Sequence, residues 1–232
     1  MTATGESRAA LSPGSRQPKY PWPVKVAGVD GTKGGWIAIV LDAGRFVEDH
    51  ILLPIKTDFS ELSNALVIAI DIPIGCGPRR ADAEARAFLT GAANTVFTTP
   101  SMEILESPFR PGLGVSAQAH ALGPRILWVT ALARSDWRMR EIHPEVSFRA
   151  MNDGLALRYP KKSAGGALER IEILHRHGIT LDQLHNAGFA PLDDVLDAGA
   201  AAWSAHRIAT GIARSLPHPP EMLDGYPVAI WY

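Results

Sequence analysis

Asp30 and Asp71 stand where apolar structure ought to exclude charge. Asp30 follows the β-branched Val24, Val26 and Val29, and Asp71 closes the run Leu66-Val67-Ile68-Ala69-Ile70. If the two runs are parallel neighbours in a sheet, both carboxylates emerge at its carboxyl edge, where open α/β sheets collect ligands. Carboxylates side by side repel, and loss of water raises their pKa values unless a cation compensates. A hard divalent ion, Mg2+ or Mn2+, does so by taking carboxylate oxygens together with water and substrate phosphate.

Leu192-Asp193-Asp194-Val195-Leu196-Asp197-Ala198 supplies further acids. Asp194 and Asp197 are three apart and share a helix face. The small residues Ala198 to Ala202 let that helix approach a sheet closely, carrying Asp197 toward the strand ends. Such a set can hold two cations about 3.5–4 Å apart, which activate a water and stabilise a leaving oxygen. Glu141-Ile142-His143-Pro144-Glu145 is a fourth element. Extended, it points Glu141, His143 and Glu145 to one side; alternatively a helix begins at Pro144 with Glu145 in its first turn.

Each acid also has a plainer reading. Asp30-Gly31 is a common hairpin dipeptide, and Asp71 before Ile72-Pro73 can simply turn the chain. Asp193 and Asp194 suit a helix start on dipole grounds alone. Glu141 and Glu145 can be ion-paired with Arg138, Arg140 or Arg149. Asp197, a full turn further in, is harder to explain away.

The elements needed to position these residues are legible. Val24 to Asp30 reads as a buried strand, Gly31 to Gly35 as a tight turn, Trp36 to Leu41 as a second strand and Arg45 to Leu53 as a third,. Thr57 to Asn64 reads as a short helix. Leu66 to Ile70, without polar alternation, reads as a strand covered on both faces. Helices follow over Arg79 to Leu89, Ala164 to His177 and Pro191 to Thr210, with a strand at Met139 to Ile142. Three meandering antiparallel strands joined to parallel strands and flanked by helices make a mixed α/β sheet, the pattern of a ribonuclease H-like fold. Residues 1–22 read as a disordered tail rich in Ser, Gly, Pro and Ala, and 23–232 as a single domain.

Four motifs in order then carry a family resemblance: Gly28-Val29-Asp30-Gly31-Thr32-Lys33-Gly34-Gly35-Trp36, Ile70-Asp71-Ile72-Pro73-Ile74-Gly75, Glu141 to Phe148 and Asp193 to Ala198. The chain resembles the domain of unknown function 429 family, a group predicted to be ribonuclease H-like nucleases, over roughly Val24 to Thr210. That resemblance implies a metal-dependent phosphodiesterase in which Asp30, Asp71, Glu145, Asp194 and Asp197 are catalytic. Asp30, Asp71 and Asp197 would ligate metal, Glu145 would ligate or orient water, and Lys33, Lys161 and Lys162 would contact substrate phosphate. Thr32 stands where the family often has Cys, and Cys76-Gly77 replaces a more usual Leu-Pro.

Two other readings fit the same residues. Asp30 to Gly35 is similar to the phosphate-binding hairpin of the actin, Hsp70 and sugar-kinase superfamily, which would make the protein a nucleotide binder or phosphotransferase. A catalytically silent binding module is the third. Bulk composition excludes other classes. With 46% hydrophobic and 20% charged residues, the 232-residue chain can build a core,. Its formal charge of −1 offers no global field for nucleic acid,. Arg134, Arg138, Arg140, Arg149, Arg158, Lys161 and Lys162 would have to form any local basic groove. The single cysteine, Cys76, permits no internal disulfide, and no stretch is apolar enough for a membrane helix. A cytoplasmic protein, acting on nucleic acid or a nucleotide and able to form a homo-oligomer, is the expectation.

Overall fold

Strand β1 (Lys25–Thr32) is the hub of the computed structural model, which describes residues 24–232; the expected tail lies outside them. On one side β1 pairs antiparallel with β2 (Gly35–Asp42), which pairs antiparallel with β3 (Arg45–Leu52). On its other side β1 pairs parallel with β4 (Ile68–Ile70), and β4 pairs parallel with β5 (Met139–Glu141). The sheet order is therefore β3-β2-β1-β4-β5. It is the mixed α/β sheet expected of a ribonuclease H-like fold.

Seven helices among the described residues connect and cover the sheet: α1 (Arg80–Phe88), α2 (Met102–Glu106), α3 (Ala117–Ala121), α4 (Gly123–Ala133), α5 (Pro144–Met151), α6 (Ala164–Arg176) and α7 (Leu192–Thr210). Alternation along β1 sends Val26 into a core with α5, α6 and α7, and Ala27 and Val29 into a second core with α4. Both faces are thus covered, which explains why β1 and β4 are almost wholly apolar. The strand β3 is held to the approach of α7 by Asp49. Its buried carboxylate accepts from the backbone N–H groups of His185, Asn186 and Ala187 at 2.6–2.8 Å.

Several elements depart from the sequence expectation. The strand β1 runs two residues past Asp30, so Asp30-Gly31 is not the hairpin turn. Asp30 sits opposite Ile37, and the turn is Lys33-Gly34, with Gly34 at φ 78°. Thr57 to Asn64 forms only a single 3-10 turn at Ser60–Leu62, preceded by Phe59 in the left-handed region. The chain does not end in helices. After α7 a hairpin of β6 (Ser215–Leu223) and β7 (Tyr226–Trp231) packs against α1 in a third core. Pro217, Pro219 and Pro220 hide β6, because proline breaks a strand pattern and survives only where no partner needs its N–H.

The contact that sets the architecture is at Gly28. A Cβ there would lie 1.9 Å from the Ala202 nitrogen and 2.2 Å from the Ala198 oxygen, both backbone atoms of α7. Strand and helix therefore meet backbone to backbone, and only glycine fits. Overpacking that neither element can relieve costs about 3 kcal/mol. At roughly 2–4 °C per kcal/mol for this size, Gly28→Ala lowers the melting temperature by ~6–12 °C. A calorimetric scan of the purified variant checks this, and an unchanged melting temperature refutes the backbone contact.

Candidate metal centre

Gly28 and Asp30 are two apart on one strand, so they face the same side of the sheet. The helix pressed onto Gly28 through Ala198 therefore delivers its neighbour, Asp197, next to Asp30. Asp71 arrives from the parallel strand. Val29 pairs with Ile70, and the Asp71 N–H donates to the Val29 carbonyl at 2.9 Å, which continues the ladder and sets Asp71 beside Asp30. One carboxylate oxygen from each of Asp30, Asp71 and Asp197 lies within 4.8 Å of the others.

The cluster is short of positive charge. Burial raises the Asp30 carboxyl well above the usual range, and repulsion from Asp71 and Asp197 adds to it. Asp71 is raised in the same way, by burial first and Asp197 second. Burial lifts Asp197 to about 6 despite its contact with Lys161. Hydrogen bonding relieves little: Asp30 Oδ1 accepts from the Gly31 N–H at 2.6 Å, and the buried Oδ1 of Asp197 has no partner. The Lys161 ammonium, delivered by the loop before α6, donates to Asp197 Oδ2. Burial works against its charge, but Asp197, then Asp30 and Asp71, hold it above the ordinary lysine value.

Three hard oxygen donors within 4.8 Å of one another, with an unpartnered buried oxygen on Asp197, fit a divalent cation. Ligation at roughly 2.0–2.6 Å requires oxygens no more than about 4–5 Å apart, and the triad satisfies that.

The remaining expected residues divide. Asp194 and Lys33 line the same cavity, and the Asp194 carboxyl, raised by burial, is near enough to Asp30 to add to the repulsion there. Glu145 also lines it, in the first turn of α5, but its carboxylate is held at 2.5 Å by the buried Arg170, which lies over the Phe148 ring. Lys162 is absent from the cavity lining and instead lines a separate space of about 410 Å3 with Ser163 and Asp193. Glu141 points away from metal chemistry. It accepts from the buried Arg79 at 2.5 and 2.8 Å and from the Ile74 N–H at 2.8 Å, while Arg79 also contacts Asp82. The partners of Glu141 and Glu145 are thus Arg79 and Arg170, not Arg138, Arg140 or Arg149. Arg138 is occupied by Asp136 and the Leu62 carbonyl, and Arg134 by Asp224, so the expected basic groove does not assemble from them.

Arg125, which the sequence reading missed, and His143, which it placed with Glu141 and Glu145, sit beside the acids. Arg125 donates to the Thr32 and Gly35 carbonyls at 2.7 and 3.3 Å and lies over Trp36. His143 donates through Nε2 to the Thr95 carbonyl at 3.3 Å and has a buried, unpartnered Nδ1. Burial pushes its pKa down, so it is neutral at pH 7.

Because the three aspartates bind protons more tightly folded than unfolded, the metal-free fold loses stability as pH rises from the ordinary aspartate value of 3.8 through the raised value of about 6 for Asp197,. Thermal melts of wild type against Asp197→Asn, between about pH 5 and pH 7.5, will show wild type losing ground as pH increases. Saturating Mn2+ will remove the loss, since the cation favours the ionised carboxylates. A wild-type advantage that grows with pH in metal-free buffer contradicts this account.

No helix among the described residues is long and apolar enough to cross a membrane. No curated protein and no solved structure matches the chain. A family model does match, described as "Protein of unknown function (DUF429)", over residues 28–222. That span begins at the glycine on which α7 rests and contains all three clustered aspartates, and the chain belongs to the DUF429 family.

Proposed function

We propose that the protein is a metal-dependent phosphodiester hydrolase, a nuclease of ribonuclease H-like type. The observation that carries this reading is the triad of the buried Asp30 and Asp197 and the half-buried Asp71 at the carboxyl edge of the sheet, with one carboxylate oxygen of Asp197 left unpartnered. These three side chains would hold Mg2+ or Mn2+, and Asp194 or Glu145 at the cavity wall would complete a second site. A divalent cation so held supplies Lewis acidity toward phosphate oxygen and lowers the pKa of water.

The reaction adds water across one P–O ester bond. The water oxygen bonds to phosphorus, and the ester oxygen leaves with a proton, giving a phosphomonoester and an alcohol. The protein's own groups orient the participants. Asp30 is fixed by its bond from the Gly31 N–H. Glu145 is fixed by Arg170. Lys161 neutralises Asp197 in the metal-free state; when a cation takes over that task, its Nζ is available to a phosphate oxygen.

A panel of DNA, RNA and small phosphodiesters with Mg2+ or Mn2+ tests the reading. Wild type hydrolyses at least one substrate. Asp30→Asn and Asp71→Asn lower kcat by about 10²-fold or more while keeping the wild-type circular dichroism spectrum, as expected when a charge-stabilising group is removed. Equal activity in the folded variants sinks the metal-site proposal. A melting shift with ATP alone, and none with any oligonucleotide, would favour the hairpin reading.

Lys161→Met separates the lysine's two roles. Without the ammonium the carboxylates repel unopposed, so the metal-free melting temperature falls and the rise on adding Mn2+ becomes larger than in wild type. Turnover falls as well, through loss of the phosphate contact. A smaller Mn2+ response than wild type would show that Lys161 assists cation binding instead of standing in for it.

A further inference from the structure

The acids occupy one part of a larger space. The cavity that contains them measures about 710 Å3, inside the roughly 300–1,000 Å3 range that encloses a single small organic ligand. Its lining is of two kinds: polar groups around the β1–β2 turn and the acids, and an apolar surface that includes Ile55, Phe97 and Leu122.

The cations of this lining limit how much phosphate it can hold. Four Lys and Arg side chains contribute: Lys33, Arg79, Arg125 and Lys161. Arg79 is neutralised by Asp82 and Glu141, and Lys161 by Asp197. Lys33 and Arg125 make no ion pair with a carboxylate among the described residues. Arg125 is also immobilised. Two backbone carbonyls take its Nη2, Trp36 lies under its guanidinium, and its buried Nε has no partner although it would sit 3.2 Å from a Cβ on Gly31, next to Asp30. A duplex presents one phosphate charge per about 1.7 Å of axis and is held by many Lys and Arg contacts. Two uncommitted cations, joined by Lys161 once a metal takes its place at Asp197, still match only one or two phosphates in a walled cavity.

We propose that the cavity takes the free end of a short, flexible phosphodiester, a dinucleotide or the terminal unit of a single strand. A base lies against Phe97, and the phosphate lies between Arg125 and the carboxylates. This proposal rests on the hydrolase reading above. It assigns Arg125 and Lys33 to phosphate and the aromatic wall to the base, a face that tolerates any sequence.

The test uses the full chain with Mn2+ and four substrates: a 5′-phosphorylated dinucleotide, a linear single strand, a covalently closed single-stranded circle and a plasmid duplex. The dinucleotide is split and the linear strand shortens from an end, with both closed substrates cut at least about a hundred-fold more slowly. Circles cut within about ten-fold of the linear strand overturn the inference and leave the hydrolase reading standing. No Mn2+-dependent cleavage of anything, with the melting temperature unmoved by Mn2+, overturns both. Binding gives a readout apart from turnover. A dinucleotide whose bridging ester oxygen is replaced by methylene raises the melting temperature of the Mn2+-loaded protein. Phe97→Ala and Arg125→Gln each weaken its binding by about ten-fold or more, the loss expected for one stacked base or one charged contact. Wild-type affinity in both folded variants overturns the proposal. Should Arg125→Gln fail to fold, Lys33→Gln, on the exposed turn, tests the charge argument with the same expected direction.

Discussion

Strand β1 and helix α7 touch through their backbones at Gly28, and the candidate centre depends on that contact. The approach is possible because β1 offers no side chain at one position and α7 offers Ala198 and Ala202 against it. Its consequence is positional. A helix standing on ordinary side chains would lie near 10 Å from the sheet, and Asp197 would be too distant to share a cation with Asp30. The small-residue run of α7 thus acts as a spacer of minimum thickness. The buried surface of the same helix anchors it to α5, α6 and the sheet through Val195, Leu196 and Trp203.

Bringing three carboxylates together works against folding, and the surroundings show how the cost is contained. Lys161 offsets part of the repulsion from within the cluster. The other buried acids are removed from it by dedicated arginines: Glu141 and Asp82 by Arg79, and Glu145 by Arg170. Breaking such a pair leaves an uncompensated buried charge, which costs about 3–5 kcal/mol. These arginines therefore do not advertise phosphate binding. They are consumed in holding the walls of the cavity, and they leave the triad as the group of acids whose charge is still unmatched.

The triad was legible in the sequence for a physical reason. An aspartate at the end of a wholly apolar run is expensive, and Asp197 before five small residues has no capping role to explain it. Patterning along the chain also located every strand of the main sheet. What stayed hidden depends on contacts across the fold. Arg79 and Glu141 are 62 positions apart and Arg170 and Glu145 are 25 apart, so local spacing could only suggest nearer arginines. Arg125 sits in α4, where the sequence reading named no element, and its position under the β1–β2 turn follows from how α4 packs on the sheet. The hairpin of β6 and β7 was hidden by prolines that a two-stranded edge tolerates and a central strand would not.

The near-neutral net charge looked, in the sequence, like an argument against an anionic substrate. The structure relocates that argument. Carboxylates lining the cavity outnumber its Lys and Arg side chains seven to four, so the neutral whole contains an acidic recess. A phosphoester alone would be repelled there, at an effective dielectric low enough to make the repulsion matter. On the proposed reading the cation must enter before the substrate or with it, because its two positive charges offset most of the acidic excess around the phosphate. Lys33 and Arg125, joined by Lys161 once a cation relieves it of Asp197, are too few to reverse that balance by themselves. They can place a phosphate once the carboxylates have been neutralised, which is why the same residues that fail to attract a polyanion suit the recognition of a short one.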